Sequence, residues 1–362
     1  MWIGKLKVRM IGGRIAKTGV AVLLTALICQ FLQVPPVLAV VTAIVTIEPT
    51  AYESIRKGFI RLPASAIGAA ISLGLVFFLG VTPYTFALSA ILTLFICHNL
   101  KLQDGMLVAC LTAVVMIPDI GVNYMGDFFT RLGGTFIGLI TSTLVNVLLL
   151  PPKFTPALEK KLDQLFVMSG DILEELSSSV LQNNTIRPAA PQLEKYQRLR
   201  KEIEKSGELA EYQRKEWKFH HASFRELRKF MYLEKRLRIL QRISLHLGHL
   251  QYIEGDLSFN DEEKRSVWAL ITSLKKALIA GPHTFDEEHY LLIENLKNQF
   301  ITHNKNCSPL NTDHYHLFSG TSIALYEFLS LHDTVEDLLK LRKQQEASLP
   351  LPPPSSSITK SI

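Results

Sequence analysis

Charge is scarce in the first half of this chain. Between Thr18 and Leu150 only ten residues are ionisable as acids or strong bases (Glu48, Glu53, Arg56, Lys57, Arg61, Lys101, Asp104, Asp119, Asp127 and Arg131), and most fall between apolar runs rather than within them. So little charge over so long a stretch excludes an ordinary water-facing domain and reads as membrane. Cysteine is scarce too. Cys29, Cys97 and Cys110 sit in apolar runs and Cys307 in the polar half; without the close pairing of a zinc or redox site, they imply neither a disulfide framework nor a thiolate centre. The sequence also lacks a glycine-rich phosphate loop after a strand, a Gly-x-Ser-x-Gly elbow and a catalytic cysteine or histidine pattern. ATP-driven transport and enzymatic activity are therefore not expected, and no cofactor or metal is called for.

What is present divides the 362 residues in two. Apolar runs from Thr18 to Leu32, Val37 to Ile47, Ala64 to Leu79, Phe86 to Ile96, Met106 to Ile117 and Leu132 to Leu150 are separated by short links containing Pro35, Pro36, Pro49, Pro83 and Pro118. The simplest count is six membrane crossings in an all-α bundle, although several runs are shorter than the roughly 20 residues that cross a bilayer. From Lys153 onward charges of both signs recur at helical spacing, as in a water-facing bundle. The expected division is a transmembrane domain over 1–152, a cytosolic helical domain over 153–347, and a disordered tail over 348–362, rich in proline and serine. Helices are expected over about Thr155–Gln182, a long stretch ending near Ile253, Asp261–Ala280, Phe285–His303 and Ser319–Gln345, each starting near a capping residue.

The net charge of +6 does not point to nucleic acid. Much of the excess lies in Lys5, Lys7, Arg9, Arg14 and Lys17, just before the first apolar run, and reads as a topology signal. The link carrying Arg56, Lys57 and Arg61 repeats it, while the first and third links are uncharged. With six crossings both termini would be cytoplasmic in a multi-pass protein of the cell membrane.

Residues 37–79 align without gaps on 107–149 at a constant offset of 70. Ala39 matches Ala109, Thr42 Thr112, Ala43 Ala113, Ile47 Ile117, Phe59 Phe129, Arg61 Arg131, Leu62 Leu132, Ile67 Ile137 and Gly68 Gly138. Three crossings per copy would make the copies face opposite ways, the inverted-repeat plan of many secondary transporters. Small residues recur at helical spacing in both copies (Ala64, Gly68, Ser72; Gly134, Gly138, Ser142), which permits close helix packing.

Arg61 and Arg131 are candidate anion-path residues, since a cation at the edge of an apolar span is costly unless solvated or paired; Asp127, four residues before Arg131, offers a local partner. Arg14 and Lys17 read first as topology signals. Glu48 beside Pro49 is a candidate for proton coupling, with Pro118 and Asp119 at the duplicated position, and otherwise a solvated helix end. Thr42 and Thr112 lie mid-span, where a hydroxyl can meet a substrate or its own helix backbone. His220 and His221 are adjacent, and His246 and His249 are three apart on an expected helix. That spacing suits a metal only if a third ligand arrives from elsewhere, and the sequence reads more simply as a solvated face.

The segments GRIAKTGVAVLLT, PPVLAVVTAIVTIEPT, FIRLPASAIG and FTRLGGTFIG resemble the aromatic acid exporter family. The polar half is similar to the C-terminal cytosolic helical domain of a Gram-positive branch of that family, and the layout is distantly similar to plant aluminium-activated malate transporters. The resemblance implies efflux of small organic anions such as aromatic carboxylates, with Arg14, Lys17, Arg61 and Arg131 along the path and Thr42, Gly68, Thr112 and Gly138 at packing or lining positions. A homodimer in the lipid bilayer is the expected assembly. Pro63 and Ala64 stand where the second copy has Gly133 and Gly134, so the copies are not equivalent. The rival expectation is a membrane-anchored sensor or scaffold whose helical domain binds a partner; deleting residues 153–362 is the expected way to separate the two.

Overall fold

The computed structural model describes residues 13–119, 124–149, 153–182, 190–219, 221–253, 257–280, 284–306 and 319–347. Their regular structure is helical throughout. The expected tail over 348–362, Cys307 and His220 lie outside the described residues, as does the side chain of Asp119. Two compact units emerge: Met1–Lys153 with Tyr212–His221, and Phe154–Glu211 with Ala222–Ile362.

The first unit contains α1 (Gly13–Leu32), α2 (Pro36–Val45), α3 (Ala51–Leu79), α4 (Pro83–Asn99), α5 (Met106–Met116) and α6 (Tyr124–Leu148). Proline opens α2 and α4, where its missing N–H costs nothing. Thr50 and Thr82 cap α3 and α4 by accepting the backbone N–H of Glu53 and Thr85. Gly80, at φ 67°, ends α3.

Within this unit α1 packs on α2 and α6, α4 packs on α5 and α3, α2 packs on α6, α5 on α3, and α3 on α6. Exchanging α1 with α4, α2 with α5 and α3 with α6 leaves that set of pairings unchanged. The matched glycines sit at the two corresponding crossings. A Cβ on Gly68 would lie 2.3 Å from the Ala109 carbonyl oxygen, and one on Gly138 2.2 Å from that of Ala39.

The expected six crossings are not found. Among the described residues three helices are long and apolar enough to cross a membrane: Arg14–Leu32, Ala51–Leu79 and Met125–Leu148. The ten residues of α2 reach roughly 15 Å at the α-helical rise, half of a hydrocarbon core about 30 Å thick. The other short apolar helix is Gln103–Met116, and α4 has 17 residues. The sequence count treated every apolar run as a crossing, whereas the Pro35–Pro36 pair, Pro49 and the turn at Gln103–Gly105 cut two of them to half-length. With three such helices, the six-crossing multi-pass topology, the shared cytoplasmic side of the termini, and the inversion argued from three crossings per copy all lose their premise.

The second unit contains α7 (Thr155–Gln182), most of α8 (Ala190–Glu216), α9 (Phe224–Gln251), α10 (Asp261–Ala280), α11 (Glu287–Asn306) and α12 (Gly320–Ala347). Its core is a leucine-rich seam at helical spacing, with Leu162, Phe166 and Leu173 of α7, Leu233, Leu240 and Leu247 of α9, Leu270 and Leu274 of α10, and Phe328 and Leu338 of α12 all buried. Helix α9 packs on α7 and α12, and α10 packs on α7, α11 and α12. The long helical stretch expected up to Ile253 is broken before Ser223. There Ser223 and Glu226 form a capping box that restarts the helix.

Candidate functional site

A short helix, α2, followed by a link that contains Pro49 leaves carbonyl groups without helical partners. In the first unit those carbonyls gather the polar side chains. Arg61 of α3 donates from Nη1 to the Thr46 carbonyl (3.4 Å), from Nε to that of Asp104 (3.2 Å), and from Nη2 to the Glu48 carboxylate. Arg14 of α1 donates to the Ile47 carbonyl at 3.2 Å. Asn146 of α6 donates from one amide nitrogen to the carbonyls of Glu48 (3.0 Å) and Thr50 (3.2 Å) and to Ser54 Oγ (2.6 Å). Its Oδ1 accepts from Lys17 Nζ at 2.9 Å. Lys57, one turn before Arg61, holds the second oxygen of Glu48 at 3.1 Å.

The result is a buried knot around residues 46–51, built by α1, α3 and α6. Lys17, Arg61 and Asn146 are all under one-tenth exposed. Cations beside the carboxyl end of α2 also meet the negative end of its dipole. The chain returns to this knot from far along the sequence: Glu216 accepts the Ala51 backbone N–H at 3.0 Å, a carboxylate at the positive end of α3. Lys215 pairs with Glu53 at 2.9 Å, and Lys218 lies 4.3 Å over the Tyr52 ring. Deleting residues 153–362 would remove these contacts as well as the second unit, so that deletion does not separate the two functional readings.

Arg14, Lys17, Glu48 and Arg61 thus come together. Arg131 of α6 is buried and likewise engaged, and Thr135 Oγ1 donates to its carbonyl at 3.2 Å. Thr112 Oγ1 donates to Val108 O at 2.8 Å within its own helix and is 2.7 Å from Ser65 Oγ. Thr42 is buried, and its carbonyl accepts from Thr46 Oγ1 at 2.8 Å. Sequence reasoning missed Asn146, Ser54 and Glu216. An asparagine near the end of an apolar helix was the available signal for the first; nothing local marks the other two.

The second unit holds open space. One cavity of about 660 Å³ is lined by Tyr196, Arg200, Gly248, His249, Tyr252 and Glu327 among others. Another, of about 550 Å³, has mixed charge from Lys161, Glu174, Lys195, Arg198 and Glu202. Glu202 sits between Lys161 and Lys205, whose hydrogen bonds hold its carboxyl down at about 2. His246 and His249 are not merely a solvated face: both meet the buried carboxylate of Glu327 from α12.

Residues 9–149 match the family described as aromatic acid exporter family member 1. Over nearly its whole length the chain is similar to a UPF0421 protein of Bacillus cereus, with 40% identity covering 94% of this chain and 96% of the relative. A UPF0421 protein of Halalkalibacterium halodurans is 35% identical over 92% and 90%, and one of Staphylococcus saprophyticus is 34% identical over 79% and 88%. With the three long apolar helices, these similarities support membrane contact and a general membrane-associated transport role, and the chain belongs to the UPF0421 protein family, within the broader aromatic-acid-exporter-like group.

Proposed function

We propose that this protein is a membrane-anchored sensor or scaffold of its transport-related family, in which the C-terminal helical unit binds a ligand or protein partner. The observation that carries the reading is the contrast between the two units. In the first, Arg14, Lys17 and Arg61, three of the four cations expected along an anion path, are spent on the carbonyls of Thr46 and Ile47, on Asn146 and on Glu48. In the second, Phe224, Leu227 and Met231 stand exposed along one face of α9, an apolar stripe, and the same unit holds cavities of ligand size. The reading assigns the chain no catalytic step and no nucleic acid.

A photo-reactive residue placed at Leu227 or Met231 of the full-length protein in its native membrane is expected to cross-link one discrete partner, and Leu227→Ser with Met231→Ser to abolish capture at a third site. Gradient-dependent, saturable anion flux in proteoliposomes that is unchanged by those serine variants would overturn it.

A second reading is efflux of small organic anions, aromatic carboxylates among them, by a homodimer; the family match over 9–149 favours it. It predicts uptake of 4-hydroxybenzoate or benzoate into inverted vesicles, driven by a pH gradient, and its reduction by Arg61→Gln while the protein still inserts. Flux unaffected by both Arg61→Gln and Arg131→Gln would remove those residues from the path.

A further inference from the structure

His246 and His249 are one turn apart on α9, so both rings leave the same face. Helix α12 brings Glu327 against that face. His246 Nδ1 lies 2.7 Å from Glu327 Oε2 and His249 Nδ1 lies 2.9 Å from Oε1, so each ring addresses a different oxygen of one carboxylate. The rings are nearly perpendicular, at 84° with centroids 6.3 Å apart, and the three ligand atoms lie within 4.8 Å of one another. Glu327 is 4% exposed whereas the His249 side chain is 61% exposed. An exposed histidine has water to satisfy it. A buried carboxylate does not, and is stable only with hydrogen bonds or positive charge beside it.

We propose that His246, His249 and Glu327 form a binding site for a divalent transition-metal ion of the zinc class. Two imidazoles and a carboxylate are the donor set such ions take. Metal–ligand bonds of about 2.0–2.2 Å at a tetrahedral angle separate neighbouring donors by roughly 3.3 Å, so an entering ion needs each N···O gap to widen by about half an ångström and the two nitrogens, which lie within 4.8 Å of each other, to settle at a similar spacing. The exposed His249 side chain can supply that movement. Three protein ligands leave a coordination position over, and it opens on the 660 Å³ cavity that His249 and Glu327 line with Arg200 and Tyr196. The shape of that cavity is fixed by a close contact: Tyr196 donates to Ser244 O at 3.1 Å and lies over Gly248, where a Cβ would come within 2.3 Å of its hydroxyl. The site does not depend on the partner-binding reading above.

The test uses tag-free, full-length protein purified in detergent, stripped with chelator and titrated with Co²⁺ and Zn²⁺. One Co²⁺ per chain is expected, with visible absorption bands of a low-coordinate site that Zn²⁺ bleaches. His249→Ala, at an exposed position, and Glu327→Gln, which keeps the side-chain shape, should each weaken binding at least about tenfold, since even groups one shell further out cost 10–100-fold. His303→Gln, in a separate histidine–Glu263 pair, should bind as the parent does. Absence of stoichiometric Co²⁺ binding, or binding that His249→Ala leaves unchanged, would overturn the proposal.

Discussion

Substituting alanine at Gly68 or Gly138 tests the packing of the first unit most directly. The added methyl would meet backbone rather than a side chain: the Ala109 carbonyl oxygen at 2.3 Å in one case, the Ala39 carbonyl oxygen at 2.2 Å in the other. An ordinary contact needs about 3.5 Å, so α3 must part from α5, or α6 from α2, by roughly 1 Å. A gap of that size forfeits a quarter to a half of each dispersion contact across the seam, and overpacking of this kind costs about 1–3 kcal/mol. The gain in helix propensity, about 1 kcal/mol, offsets part of it. Each variant is therefore expected to lose up to about 2 kcal/mol, and the two to lose similar amounts because the contacts are duplicates. Gly74→Ala and Gly133→Ala meet nothing within 4 Å and should be neutral or slightly stabilising. Thermal unfolding of detergent-purified protein, followed by circular dichroism, measures all four. Midpoints for Gly68→Ala and Gly138→Ala no lower than those of the controls would refute the close-crossing account.

Asn146→Ala should destabilise the first unit by at least about 2 kcal/mol, because it leaves the carbonyls of Glu48 and Thr50 and the ammonium of Lys17 short of partners in a buried site; an unchanged unfolding midpoint would show that the knot around residues 46–51 is not needed. In the second unit, His289 Nε2 lies 2.9 Å from His332 Nδ1 and its ring stacks on Phe285 at 3.6 Å. Burial, and then the charge of His332, push His289 down to about 4, against the opposing pull of Asp286 and Glu336; burial also lowers His332. The unfolded chain then binds the extra protons, so this stability is complete above about pH 6.5 and is lost as pH falls towards 4, by up to about 3 kcal/mol. Denaturant titrations between pH 7.5 and 4.5 should show that slope, and His289→Gln should flatten it; identical slopes would refute the assignment.

The helices of the polar half were legible because their caps and apolar periods are local: α7 and α10 begin and end where the sequence places them, and the Ser223-x-x-Glu226 signal that splits α8 from α9 was present to be read. The number of membrane-crossing helices was not, because hydropathy sees apolar length and not where prolines and tight turns divide it. Contacts far apart in sequence were also invisible. Glu216 lies 165 positions from the Ala51 amide it accepts, and Glu327 lies 81 and 78 positions from His246 and His249. Neither pairing leaves a trace in local spacing, so the third member of the histidine cluster could be found only in the folded chain.

The repeat itself extends further than a constant offset reveals. Gln33 and Lys101, at φ 56° and 58°, are the non-glycine residues with positive φ among those described, and each follows a helix whose cysteine carbonyl accepts a backbone N–H five residues on: Val34 to Cys29, and Leu102 to Cys97. That shared helix-ending turn sets α1 on α4 at an offset of 68. Thr25, Ile28 and Cys29 then match Thr93, Ile96 and Cys97, and the threonines and cysteines are fully buried in both copies. A two-residue difference in the following link hides this from an ungapped comparison. The charges have diverged where the backbones have not. Glu48, Lys57 and Arg61 correspond to Pro118, Asp127 and Arg131, and over the matched segments the first copy sets Arg56, Lys57 and Arg61 against Glu48 and Glu53, whereas the second sets Arg131 alone against Asp119 and Asp127, so the first is net positive and the second net negative. A path lined alike by both copies would need alike charges. Arg61→Gln should accordingly loosen the 46–51 knot, leaving Glu48 to Lys57 alone and the Thr46 and Asp104 carbonyls without the guanidinium; a thermal unfolding midpoint equal to the parent's would show that Arg61 does not hold it.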